Sequence, residues 1–200
     1  MPKRDDAHMA ARRRQILDAV RRCVDEKGIA GMSMEDICKA AGMSIGAIYT
    51  HFQSKEAILT ALVESDHADR PLFGSCRTAA ETLRRFGEML SEFAQREDNS
   101  LRARIALEVA GLARRNPKMM VAIEAGYRGQ RQTVLEQATR LAHDGLDKTR
   151  VAVIGECLFA LILSAQLQML VGVSPDTEAK LRAVRSLIEE LHGGPVRLRH

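Results

Sequence analysis

Residues 33–59, SMEDICKAAGMSIGAIYTHFQSKEAIL, constrain this chain more than any other stretch. Ser33 can accept a hydrogen bond from a free amide one turn on. Asp36, three residues later, imitates the acidic partner of a capping box and suits the positive end of a helix. Met34, Ile37, Cys38 and Ala41 then fall at i, i+3, i+4 and i+7, one apolar stripe at helical spacing. Gly42 ends the stripe as a C-cap glycine does. After a tight turn, Ser44 can cap a second short helix, Ile45 to about His51, anchored by Ile48 and Phe52. The other side of that helix carries Ile45, Gly46, Ala47, Tyr49, Thr50 and His51, small or hydrogen-bonding groups with no carboxylate. An apolar back with a slender, uncharged front suits a helix that enters a DNA major groove about 12 Å wide and touches base edges.

Two short helices around a glycine turn also occur in ordinary bundles, so spacing alone does not decide between a helix-turn-helix and plain packing. The residues go further. Residues 37–59 resemble the N-terminal DNA-binding domain of TetR/AcrR-type transcriptional regulators, whose hallmark is Ser-x-Gly-x-aliphatic-Tyr-x-x-Phe followed by a Ser-Lys-Glu helix start. Ser44, Gly46, Ile48, Tyr49, Phe52, Ser54, Lys55 and Glu56 match it. The resemblance implies phosphate contacts for Tyr49 and Lys55. Lys55 also stands in the first turn of its helix, where a cation opposes the helix dipole and a bound phosphate would explain it. One position departs: many relatives carry Lys after the capping Ser, and here it is Ile45, which either presses on a thymine methyl or packs against the first helix.

No stretch alternates apolar and polar residues over strand length, aromatics are 4% of the 200 residues, and 46% hydrophobic content is enough to bury a core. The expected fold is all-α: an N-terminal three-helix helix-turn-helix domain, residues 1–55, joined through a shared helix to a C-terminal regulatory and dimerisation bundle, residues 56–200, about nine helices in all. A net charge of +4 argues for a local basic patch over a basic coat protein, and no apolar leader points to export, so a cytoplasmic protein is expected. Helix one should run from about Met9 to Lys27, with Gly28 after it, Gly31 bending the chain, and Lys3 and Arg4 as a flexible arm. Arg12, Arg13 and Arg14 near its start cover most of a helical circumference, so at least one should face the DNA backbone. The candidate DNA contacts are therefore Arg12, Arg13, Ser33, Ser44, Ile45, Gly46, Ala47, Tyr49, Thr50, His51 and Lys55.

Pro71 marks the end of the shared helix, and from residue 77 the pattern is a helical bundle. Ser100, Asn116-Pro117, Asp147 and Ser174-Pro175 are expected to open its later helices. Residues 151–173 are apolar on nearly all sides, long enough to raise a transmembrane reading, but Glu156, Gln166 and Gln168 and the missing aromatic belts oppose it. No membrane partner is expected. A second copy covering the outer face is, and the resemblance implies a two-fold dimer through helices 147–173 and 175–192, reading a palindromic operator. A pocket for an unidentified small-molecule ligand would draw on Phe86, Met89, Phe93, Glu108, Met120, Tyr127 and Gln130, with plain core, or a buried ion pair for Glu108, as the competing assignment. The C-terminal half resembles BetI-like regulators loosely, through EVAGLARRNP from Glu108 to Pro117 and through Tyr127.

Cys23, Cys38, Cys76 and Cys157 lie too far apart for a zinc or disulfide framework. Cys23, Cys38 and Cys157 read as core, and Cys76, beside Arg77, as a candidate exposed thiolate. Two Glu-x-x-His pairs, Glu64/His67 and Glu189/His192, together with Glu108 and Glu156, supply the ligand inventory of a ferritin-like di-iron bundle, a competing function that leaves residues 44–56 unexplained. No catalytic triad, Walker loop or dinucleotide-binding glycine pattern is present, so neither enzyme activity nor a cofactor or metal is expected.

Overall fold

The structure is a computed structural model; it describes residues 3–68, 72–74, 76–95 and 97–197, without the side chains of 3–6, 66–68, 93–95 and 97–104. Among these residues all regular structure is helical: α1 (Lys3–Gly31), α2 (Met34–Ala41), α3 (Ile45–Tyr49), α4 (Lys55–Ala68), α5 (Ala79–Gln95), α6 (Glu97–Ala113), α7 (Pro117–Leu141), α8 (Lys148–Leu170) and α9 (Thr177–His192). Packing divides the chain into two compact units, residues 1–66 with 104–123, and residues 67–103 with 124–200. The first is therefore larger than the motif-based division at residue 55.

In the first unit α1 packs on α2, and α2 on α3. Ile16, Val20, Val24, Ile37, Ile48, Ile58, Leu62 and Met119 are fully buried. α1 is longer than expected: Lys3 and Arg4 are helical, because Ala7, Met9, Ala10 and Ala11 are good helix formers with no breaker among them. The bend falls at Gly28 (φ 70°, ψ 167°), a backbone region open essentially to glycine alone, and not at Gly31. The capping box forms as expected: Asp36 N–H donates to Ser33 Oγ at 3.1 Å and Ser33 N–H to Asp36 Oδ2 at 2.9 Å. Gly42, at φ 63°, is the left-handed C-cap of α2.

In the second unit α5 packs on α8 and α9, and α8 on α9, around Phe86, Met89, Val134, Ile154, Phe159, Ile162, Val184 and Ile188. α8 buries one face only; Val153, Cys157, Ala160, Ser164 and Leu167 are exposed. By length and composition α8 could cross a membrane, yet its buried face is core of this unit. α7 and α8 are in close contact, with a Cβ placed on Gly155 falling 2.6 Å from Leu135 Cδ2. Asp147 caps α8 and Asn116 caps α7, as the sequence suggests. α9 is capped instead by Asp176, which accepts from Ala179 N–H at 2.9 Å, and α6 starts at Glu97, so Ser100 lies inside it.

The cysteines divide differently from expectation. Cys23 is buried, Cys38 and Cys76 are half-buried, and Cys157 is exposed, because α8 is apolar on both faces and only one meets the core. Burial, with Glu81 adding to it, pushes the Cys76 thiol above its ordinary value, so the neighbouring arginines do not make it a thiolate.

Candidate nucleic-acid interface

Ser44 accepts from Ala47 N–H at 3.2 Å and starts α3, while Ile48 and Phe52 are buried beneath it. That anchoring turns Ile45, Gly46, Tyr49 and Thr50 outward, Ile45 at 48% and Tyr49 at 47% exposure. Ile45 thus does not pack against α1; it borders a shallow hollow with Glu35, Cys38, Lys39 and Met43. Ala47, Thr50 and His51 border a second hollow with His8, Met9 and Arg12. Thr50 donates its hydroxyl to Ala47 O at 2.6 Å, leaving lone pairs outward. His51 is half-buried, and its Nδ1 is enclosed without a hydrogen-bond partner.

The unit holds α2 and α3 through their free C-terminal carbonyls. Gln15 donates to Ala41 O at 2.7 Å and Arg22 to Ala40 O at 2.8 Å, both from α1. Arg13 donates to His51 O at 2.7 Å and stacks on the Phe52 ring. Arg12 bonds Gln15 at 2.9 Å. Unsatisfied carbonyls at a helix end are natural acceptors for cationic side chains, and here they draw in side chains that, on sequence alone, faced DNA. Lys55 is engaged within the unit: its ammonium donates to Ile29 O at 2.6 Å and Met32 O at 2.5 Å, tying the end of α1 to the start of α4, which offsets its unfavourable place in the helix dipole. Ser33 is likewise occupied by its capping box. Lys27 pairs with Asp36, and that bond, with those of Ser33, holds the Asp36 carboxyl far below the ordinary range.

Gln15 and Arg22 were missed by sequence reasoning, although their spacing of seven on α1 places them on one face.

The comparisons with known proteins centre on this stretch. Residues 16–62 match the bacterial regulatory proteins, tetR family. Over these residues the chain is similar to that family's DNA-binding segment. Over 66 residues it is 48% identical to the HTH-type transcriptional repressor Rv1474c of Mycobacterium tuberculosis, covering 33% of this chain and 35% of that repressor, about a third of its length. It is 29% identical over 145 residues to the repressor AcnR of Corynebacterium diphtheriae, covering 72% of this chain and 73% of AcnR. The fold is similar to reduced NemR of E. coli, with a TM-score of 0.69 at 23% identity over 88% of this chain and 97% of NemR.

The residues expected to line a ligand pocket divide between the units. Phe86 and Met89 are buried in the second unit, where Tyr127 is 46% exposed, edge-on to Phe159, and Gln130 is half-buried. Glu108 and Met120 belong to the first. Among the described residues Glu108 has no ion-pair partner, and it lies outside the second unit's core; it accepts from Ile29 N–H at 2.8 Å. Phe93 and His67 have side chains outside the described residues. The di-iron inventory is dispersed too: Glu64 lies in the first unit, Glu189 accepts from Val196 N–H, Glu156 pairs with Arg131 and His192 is exposed. Among the described residues no three His, Cys, Asp or Glu side chains gather as metal ligands.

Proposed function

We propose that this protein is a DNA-binding transcriptional regulator of the tetR family, a cytoplasmic homodimeric repressor that reads a palindromic operator and is released from it by a small-molecule ligand. The observation that carries the reading is the outward face of α3, Ile45, Gly46, Tyr49 and Thr50, set on buried Ile48 and Phe52. Arg12, Ser44, Ala47 and His51 border the same surface. Tyr49 contacts phosphate, Thr50 and Ile45 contact base edges, and Arg13 and Lys55 position the helices. Dimerisation is supported by the outward stripe of α8, where exposed Val153, Cys157, Ala160, Ser164 and Leu167 recur at helical spacing. A two-fold pairing of this stripe, flanked by α9, would set two recognition helices roughly 34 Å apart. Repression is supported by the names of the two curated relatives.

Selection of bound duplexes from a random pool at near-physiological salt tests the reading. A recovered palindrome, bound by two chains, is the expected result. Enrichment of a single half-site would remove the dimer, and no enrichment by folded protein would remove specific DNA reading. An operator that no compound releases would leave a regulator without a small-molecule inducer.

A further inference from the structure

A groove of about 520 Å³ opens where the last turn of α1, the first turn of α4, the end of α6 and the start of α7 meet, wholly within the first unit. Its wall is apolar, formed by buried Ile29, Leu59 and Met119 with Leu112 on the exposed rim. Its polar groups are nearly all committed. Lys55 donates to two carbonyls, and Glu56 accepts from its own amide and from Ser54. Asn116 Oδ1 takes the Met119 N–H. Arg115 is exposed.

Glu108 differs. It is half-buried, its Oε2 accepts from Ile29 N–H at 2.8 Å, and its Oε1, 3.7 Å from where a Cβ on Gly28 would stand, has no hydrogen-bond partner among the described residues. An apolar body that dries this groove strips water from the Glu108 carboxylate. A protonated amine on the same molecule replaces that water with a charge-assisted hydrogen bond; a neutral or anionic head does so poorly or not at all.

We propose that this groove is an effector site for an amphipathic amine, whose apolar body lies on Ile29, Leu59 and Met119 and whose ammonium sits on Glu108. The inference rests on the ligand-responsive reading above and places its effector outside the core of the second unit. The amine and the Ile29 N–H draw on one carboxylate. The ammonium takes Oε1 while the Ile29 N–H keeps Oε2, so occupancy couples to the last turn of α1, which leads directly into the capping box of α2, and an amine that favours one state of that turn shifts how well DNA is read.

The test is calorimetric titration of the full-length protein with 4-phenylbutylamine, beside 4-phenylbutan-1-ol and 4-phenylbutyrate, which share its apolar body. The amine is expected to bind at least roughly tenfold more tightly than either analogue, as the charge-assisted bond requires. Glu108→Gln, which keeps an acceptor for Ile29, should remove that preference, and Leu112→Arg, on the rim, should weaken amine binding. Equal binding of all three compounds, no amine binding, or amine binding that both variants leave unchanged overturns the site. Should Glu108→Gln fail to fold, the analogue series on the unaltered protein still decides. A selected operator together with absent amine binding removes this inference alone; absence of any selected operator removes the regulator reading instead.

Discussion

Arg13, on α1, donates a 2.7 Å hydrogen bond to the carbonyl of His51 and lies 4.2 Å from the centroid of the Phe52 ring. The end of α3 is thus held by a residue 38 positions earlier in the chain. Arg13→Ala should lower the unfolding free energy by about 1 kcal/mol and weaken specific duplexes more than random ones. Arg13→Lys should recover part of both, since it keeps the charge and loses the planar fork. Urea titration and DNA binding at two salt concentrations check this. A uniform loss across duplexes, with the salt slope reduced by about one, would make Arg13 a phosphate contact instead.

Lys55 bonds two carbonyls at the end of α1. Removing its ammonium leaves both part-buried acceptors short of a donor. Lys55→Ala should therefore cost about 2 kcal/mol of stability and leave the salt dependence of DNA binding unchanged. Salt titration of the variant on a selected operator separates this positioning role from a direct phosphate contact.

The capping box of α2 carries a pH signature. Lys27 first, then the amide and hydroxyl of Ser33, depress the Asp36 carboxyl below its ordinary value of 3.8. A carboxyl depressed on folding binds its proton more readily in the unfolded chain. Its stabilising contribution is complete above about 3.8 and is lost as pH falls below that, towards the folded value. Asp36→Asn should be less stable than the unaltered protein at pH 7, and the gap should narrow as pH is lowered below 4. Parallel denaturation curves that keep a constant gap would contradict the assignment.

Gly155 meets α7 closely, a Cβ there falling 2.6 Å from Leu135 Cδ2 and 3.4 Å from Ala138 Cβ. Gly155→Ala should destabilise the second unit by about 1–3 kcal/mol through overpacking. Leu135→Ala in the same chain should recover much of that loss, and a double-mutant cycle in thermal unfolding measures the coupling.

Ile45 is exposed at the first position of α3. Ile45→Lys should raise affinity for all duplexes and steepen the salt slope by about one unit, whereas Ile45→Ala should relax preference at one thymine. Selection with both variants distinguishes a base-contacting side chain from a bystander.

What was legible in the sequence was mostly local. Ser33 with Asp36, Gly42, Ser44, Ser54 and Asp147 each act on amides or carbonyls within a turn of themselves, so their spacing contains the answer. Lys55 and Glu108 bond backbone groups 23 to 79 positions away, and no local pattern distinguishes such a residue from a solvated one. Asp176 displaced Ser174 because both are good caps around Pro175, and propensity does not rank them. Cys157 misled for another reason. On a helix apolar on both faces, periodicity no longer says which side meets the core.

The packing of residues 104–123 with residues 1–66 bears on how this protein can be taken apart. The matched family segment ends at residue 62, yet Ile105, Val109 and Met119 are buried beside it in the same unit. A graft of residues 1–62 onto a relative would leave behind Glu108, which caps the turn at Ile29, and three apolar side chains' worth of cover. Exchange of reading heads between relatives is then not a single-crossover event. A working chimera has to carry the end of α6 and the start of α7 with it, or find their equivalents already present in the recipient.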